Sequence, residues 1–122
     1  MIVELIVMAD SIVGKKSRDF AIRIIDCYKY LANQKHETVI SKQLLRSGTS
    51  IGANTRESKN AQSRMDFLNK LNIALKEADE TEYWLDLLHE SNYLDDEQYD
   101  SMTNDCAEII KMLTAIIKKL KS

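Results

Sequence analysis

Apolar residues recur in alternating steps of three and four along four stretches of this chain, and none of its 122 residues is a proline. The clearest stripe lies near the C-terminus and consists of Tyr99, Met102, Cys106, Ile109, Leu113, Ile116 and Leu120. Steps of this kind place side chains on one face of an α-helix, where they can pack against other helices. Because proline would break such helices, its absence favours long ones, and the sequence predicts an all-α protein.

Short polar breaks divide the chain into four predicted helices, at about 15–33, 38–59, 63–91 and 95–121. Asp95 and Gln98 have the spacing of a capping box at the start of the last helix. Helices joined by short links pack as antiparallel neighbours, so we predict an up-down-up-down four-helix bundle that forms one domain over residues 1–122. Residues 1–14 precede the first helix and are expected to form an irregular extension. Within it, residues 1–7 leave two alternatives open: a frayed or mis-assigned extension, or a segment that packs on a partner.

The second predicted helix contains a run of small residues, SGTSIGAN. Glycine inside a helix costs about 0.5–1 kcal/mol relative to alanine, so Gly48 and Gly52 indicate a backbone that a neighbouring helix approaches closely. The alternative is a break at Ser47–Ser50, because Ser-Gly-Thr-Ser is also a turn signal. The regular stripe on either side favours a continuous helix, with Ile40, Leu44, Ser47, Ile51, Asn54 and Ser58 on one face.

The third predicted helix also narrows in its middle. If the turn between the second and third helices centres near Gln62, Ser47 lies opposite Glu77 and Ile51 opposite Ile73. Small residues would then face small residues, and this agreement between two separate stretches supports a close helix pair. The stripe concerned is Phe67, Leu71, Ala74, Ala78, Thr81, Leu85 and Leu88.

An acidic cluster follows on the same helix and contains Glu77, Asp79, Glu80, Glu82 and Asp86. The alignment given above places Arg46 opposite Ala78, between Glu77 and Glu80. We therefore expect a structural ion pair between Arg46 and one of these two carboxylates.

Few residues in the chain suggest catalysis or a cofactor. His36 and His89 lack the spacing of metal ligands, and no phosphate-binding loop or Cys-x-x-Cys pair occurs, so we expect no enzyme, no metal and no cofactor. Cys27 and Cys106 fall on predicted core stripes, which is typical of buried, reduced thiols in a cytoplasmic protein. The longest apolar run is too short to cross a membrane, so no membrane association is expected.

The one candidate binding feature is basic. Lys42, Arg46 and Arg56 form a stripe on the second helix opposite its apolar face, with Lys59 nearby. Such cations can contact the phosphate groups of nucleic acid, although the formal net charge of the whole chain is −2. An ordinary solvated helix face is the alternative interpretation.

Two segments, SKQLLRSGTSIGANTRES and DFLNKLNIALKEADETEYWLDLL, resemble the four-helix-bundle family of 23S rRNA intervening-sequence proteins, also described as ribosomal-protein-like. The segment KSRDFAIRIIDCYKYL is similar to the first helix of that family, so the resemblance covers about residues 15–122. Where the family usually has an aliphatic residue after GAN, this chain has Thr55.

The resemblance implies a small cytoplasmic bacterial bundle, encoded within or related to genes inserted in 23S rRNA, that forms a ring-like homo-oligomer with a pentamer favoured. A related branch, the accessory variability determinants of diversity-generating retroelements, forms pentameric barrels that bind nucleic acid and a reverse transcriptase. We expect most of the family's motif residues to be structural; they match Leu44, Leu45, Arg46, Ser47, Gly48, Asn54, Ala74, Glu77, Ala78, Glu80, Thr81 and Trp84.

Two hypotheses for function result. In the first, a non-enzymatic oligomer associates with RNA or a ribonucleoprotein through the basic stripe of the second helix. In the second, the protein is an interaction scaffold without affinity for nucleic acid and uses its acidic third helix or the surface of the ring. In both, we expect apolar residues outside the four-helix seam to lie between protomers, namely Leu45, Leu68, Leu75 and Trp84.

Overall fold

The computed structural model describes residues 3, 4, 7 and 12–122 of the chain. Between residues 12 and 122 it contains four helices: α1 (Gly14–Asn33), α2 (Ile40–Ser58), α3 (Arg64–Glu90) and α4 (Asp96–Lys121). The described residues include no strand, so the predicted all-α class is confirmed. The alternatives for residues 1–7 fall mostly outside the described residues. In the expected irregular extension, Val13 is buried and belongs to the core.

Two pairs of neighbouring helices, α2 with α3 and α1 with α4, run antiparallel, as their contacts show. Ser47 on α2 meets Thr81 on α3 with 2.9 Å between their hydroxyl oxygens, whereas Glu57, further along α2, meets the earlier residue Lys70 at 3.4 Å. Residue numbers therefore rise on one helix as they fall on the other. The pairs that join α1 to α4 follow the same rule: Lys16 with Glu108, and Arg23 with Ser101 and Asp105.

The predicted apolar stripes form the core of the bundle. Every residue of the α3 stripe is buried, and so is every residue of the α4 stripe except Tyr99, which is half-buried. On α2 the core position is Thr55, not Asn54, because an ideal helix turns by about 20° per heptad relative to a strict repeat of 3.5 residues. Of the two thiols expected in the core, Cys106 is buried, but Cys27 is only half-buried.

The small residues of α2 lie where α1 comes closest to it. Helix α2 continues through Ser47–Ser50, so the alternative of a break there is wrong. A Cβ atom added to Gly48 would lie 2.7 Å from the Cγ1 atom of Ile24, and one added to Gly52 would lie 3.3 Å from the carbonyl oxygen of Ser17. The predicted close approach at both glycines is therefore confirmed, and α1 is the helix that makes it.

The predicted alignment of α2 with α3 is wrong by one helical turn. Ser47 lies opposite Thr81 instead of Glu77. The reason is that the first turns of α3 extend past the end of α2. The ion pair between Glu57 and Lys70 places the last turn of α2 level with Lys70, and not with the first residue of α3. Small residues nevertheless face small residues, because Ser47 contacts Thr81 and both are fully buried.

A buried carboxylate, that of Glu37, lies just before the first residue of α2. Glu37 is 8% exposed, and its side chain accepts hydrogen bonds from the backbone N–H groups of Val39, Ile40 and Ser41 at 2.7–3.2 Å. Burial by itself would raise the pKa of this carboxyl, but these backbone donors hold the pKa below its usual range. Glu37 therefore caps the N-terminus of α2, where a negative charge is favourable.

Replacing Glu37 with Gln should lower the free energy of unfolding by about 1 kcal/mol at neutral pH, because the neutral amide caps the helix less well. Since folding lowers the pKa of Glu37, its charge stabilises the fold fully above the unfolded pKa of about 4.3, and this contribution is lost as the pH falls through the folded value. Urea unfolding at a series of pH values should show the two proteins converging in acid. The exposed-site control Asp26→Asn should follow the parent protein, and a penalty for Glu37→Gln that persists in acid would contradict this account.

Candidate nucleic-acid interface

Arg46 is held by two carboxylates of α3. Its guanidinium lies 3.3 Å from a carboxylate oxygen of Glu77 and also pairs with Glu80. The expected ion pair is confirmed, and it includes both Glu77 and Glu80, where one of the two was expected. With its charge balanced in this way, Arg46 belongs to the contact between α2 and α3 more than to an open basic stripe.

Arg56 and Lys59 lie at the other end of α2, where they face α1. Together with Lys15 and Arg18 they line an open groove between the two helices, with a volume of about 460 Å³. Lys42 is 14 positions before Arg56, which corresponds to about 21 Å along a helix. The structure thus brings Arg56 and Lys59 together with two cations of α1. The other two predicted stripe residues, Lys42 and Arg46, lie apart from this groove.

The floor of this groove consists of small residues. Gly14 and Ala21 of α1 and Gly52 and Ala53 of α2 line it, so no large side chain fills the space between the cations. Sequence reasoning could not find the proximity of Lys15 and Arg18 to Arg56, because that proximity depends on how α1 is rotated against α2.

The charges of the bundle are separated along its axis. When each helix is divided at its midpoint, one end consists of residues 14–23, 49–76 and 109–122, and it carries thirteen basic and three acidic residues. We call this the basic end. The acidic end consists of residues 24–48 and 77–108 and carries four basic and fourteen acidic residues. By this division the formal charges are +10 and −10, although the whole chain is almost neutral, and Asp105 and Glu108 of the acidic end pair with cations of the basic end at the boundary.

The α1–α2 groove belongs to the basic end and differs from the neighbouring groove between α1 and α4. In that second groove Lys16 pairs with Glu108 at 2.6 Å and Arg23 pairs with Asp105 at 2.6 Å. There the cations are matched by carboxylates across the helix contact. None of the nine described residues that line the α1–α2 groove is acidic.

The remaining candidate residues have structural surroundings. His89 lies 2.7 Å from a carboxylate oxygen of Asp96 and stacks on the ring of Tyr99, so it links α3 to α4. The hydrogen bond with Asp96 raises the pKa of His89. Burial raises the pKa of Cys27 to about 11 and that of Cys106 to about 12, which keeps both thiols protonated. In the described part of the chain, no three His, Cys, Asp or Glu side chains could hold a metal ion together.

Two further motif residues, Asn54 and Trp84, have contacts within their own helices. The Asn54 side chain donates to the carbonyl oxygen of Ser50 at 2.9 Å, within α2. Trp84 packs against the core, with its ring 5.0 Å from that of Tyr83, and its buried indole N–H has no hydrogen-bond partner among the described residues.

The family model described as "23S rRNA-intervening sequence protein" matches residues 9–115. The chain belongs to this family. A crystal structure from Bacteroides thetaiotaomicron, described as a protein with unknown function from the S23 ribosomal protein family, is 61% identical to this family member. The match covers 91% of this chain and 99% of that chain, with a TM-score of 0.89.

A comparison of this family member with curated proteins gives no match. None of the helices that the structure describes is long and apolar enough to span a membrane.

Because Arg46 and Arg56 have different surroundings, their removal should change the free energy of unfolding by different amounts. Arg46→Gln should lower the free energy of unfolding by about 0.5–1 kcal/mol, because it leaves the mostly buried Glu77 carboxylate without its partner. Arg56→Gln removes the same charge from the same helix, but the described residues give Arg56 no ion pair, so the change should stay within about 0.5 kcal/mol. Urea unfolding of both variants tests this, and equal destabilisation would contradict the distinction.

Proposed function

We propose that this protein is a non-enzymatic RNA-binding bundle that contacts the phosphate backbone of structured RNA, or of a ribonucleoprotein, with its basic end. The observation that carries the proposal is the excess of ten positive charges at that end. Phosphate contacts by Lys and Arg, with release of counterions, supply most of the affinity in binding of this kind.

The distribution of charge explains how a nearly neutral chain could bind a polyanion. At an ionic strength of about 0.15 M, charges are screened within about 8 Å, so RNA near the basic end responds to local cations and only weakly to the distant carboxylates. The family description names 23S rRNA, which makes ribosomal RNA or its intervening segments the first partner to test. Both cysteines are free, which agrees with our proposal of a cytoplasmic location.

We also propose that copies of the chain form a homo-oligomer, with a pentamer favoured by the resemblance described above. Leu45, Leu68, Leu75 and Trp84, which we expected between protomers, are half-buried and pack against the core of their own chain. Better candidates lie on the outer face of α1, where Ile22 is 44% exposed and Ile25 is 38% exposed.

Removal of charge from the basic end should weaken RNA binding. In the triple variant Arg56→Gln, Lys118→Gln and Lys121→Gln, we expect the affinity for a labelled structured RNA to fall at least about tenfold. The slope of log affinity against log salt should decrease by up to about one unit for each phosphate contact that the substitutions remove. Fluorescence anisotropy at roughly 50 and 200 mM salt measures both quantities.

A matched control removes three positive charges from the acidic end: Lys29→Gln, Lys35→Gln and Lys42→Gln. The net charge of the two triple variants is identical, so this control should keep both the affinity and the salt slope of the parent protein. An equal fall in affinity in the two variants would show that net charge alone matters. No binding by the parent protein would overturn the RNA proposal and favour the scaffold hypothesis, with the acidic end as its interaction surface.

The oligomer proposal has a separate test. Light scattering at micromolar concentration should give a mass of several chains, and Ile22→Lys with Ile25→Lys should shift the protein toward the mass of one chain, because lysines would be buried at the interface. Val39→Lys, at an exposed apolar position outside α1, should leave the mass unchanged. A parent protein with the mass of a single chain would exclude the oligomer.

A further inference from the structure

We propose that the α1–α2 groove is a nucleotide subsite, in which the cations bind one phosphate group and the small-residue floor receives the attached ribose. The inference deepens the RNA association proposed above by assigning it a defined pocket for one nucleotide. It stands on the composition and the shape of the groove, which can be tested with a mononucleotide and without RNA.

The groove is rich in cations. Four of them, Lys15, Arg18, Arg56 and Lys59, line it, and none of its described lining residues is acidic. Asp19 lies 3.0 Å from the ammonium of Lys15 and 3.8 Å from the guanidinium of Arg18 and offsets part of their charge. On the α2 side, the nearby carboxylate of Glu57 pairs with Lys70 of α3 at 3.4 Å. Arg56 therefore offers its planar, bidentate donors to a phosphate group.

The shape of the groove suits a ligand larger than a phosphate group. A volume of about 460 Å³ lies within the range of roughly 300–1,000 Å³ that is typical of small-molecule sites and exceeds what a single phosphate group occupies. The space exists because Gly52 and Ala53 on one wall and Gly14 and Ala21 on the other have little or no side chain. Long cationic side chains beside a floor of small, uncharged residues suit a ligand with a charged end and a compact, uncharged body, such as a phosphate group with its ribose.

Thr49, which carries a hydroxyl group, also lines the groove. This hydroxyl donates its proton to the carbonyl oxygen of Leu45 at 2.7 Å. Its oxygen is then left as an acceptor, and the hydroxyl groups of a ribose are donors. The groove therefore combines donors for a phosphate with an acceptor for a sugar hydroxyl.

The glycines of the chain provide the test. There are only three: Gly14 and Gly52 line the groove, and Gly48 is buried against Ile24 outside it. Labelling with ¹⁵N-glycine gives three amide signals, and Gly14→Ala and Gly52→Ala identify two of them by their disappearance. Adenosine monophosphate, titrated into the full-length protein in phosphate-free buffer to about 10 mM, should shift the Gly14 and Gly52 signals in a saturable way and leave Gly48 in place.

Two further ligands separate the contributions of phosphate and nucleoside. Inorganic phosphate should shift the same two signals more weakly, and adenosine alone should leave them unchanged. Equal shifts with adenosine, or no saturable shift with adenosine monophosphate, would overturn the proposal. Deoxyadenosine monophosphate tests the ribose, and it should bind more weakly than the ribonucleotide if the 2′-hydroxyl is recognised.

Variants distinguish a shaped groove from a generally basic surface. Ala53→Leu fills the groove without a change of charge and should abolish the saturable shift of Gly14 and Gly52. Arg56→Gln should weaken the binding of adenosine monophosphate roughly fivefold or more. Lys118→Gln, which removes one charge from the basic end outside the groove, should leave the binding nearly unchanged. Circular dichroism of each variant confirms that it is folded.

The two proposals can fail independently. Binding of RNA by the Ala53→Leu variant with unchanged affinity, together with unmoved glycine signals in the parent protein, would exclude the groove and leave the basic end as the RNA-binding surface. Binding of adenosine monophosphate without any binding of RNA would support the groove as a nucleotide site and overturn the RNA proposal.

Discussion

The contact between α1 and α2 at Gly48 is the constraint on which the rest of the bundle depends. Ile24 occupies the position that a side chain at residue 48 would need, so the two helices lie close together at mid-length. Helix α2 meets α3 through another pair of small residues, Ser47 and Thr81. Because α2 is narrow toward both neighbours, its cations are left to the outside of the bundle and to its ends.

The helices and their buried faces could be predicted from the sequence, because the steps of three and four fix which side of each helix is apolar. The alignment between helices could not, since it depends on how far α3 extends past the end of α2. The Glu37 cap was also missed: a carboxylate three positions before Ile40 looks like a loop residue until the chain folds back onto the helix N-terminus.

The candidate site was predictable only in part, for a related reason. Arg56 and Lys59 stood out as cations on one helix, but Lys15 and Arg18 join them only through the rotation of α1. The separation of charge along the bundle is even less visible in the sequence. Every helix runs through both ends of the bundle, so a count made helix by helix averages a basic half with an acidic half.

The axial charge separation also gives the molecule a large permanent dipole. Ten charges of each sign, with centres separated by roughly half the length of the longest helix, or about 20 Å, correspond to a dipole moment on the order of 1,000 debye, a few hundred times that of one peptide unit. Near a polyanion at low ionic strength, such a dipole experiences a torque that turns the basic end toward the negative surface. The protein would then reach its partner already oriented, which shortens the rotational search that normally slows association.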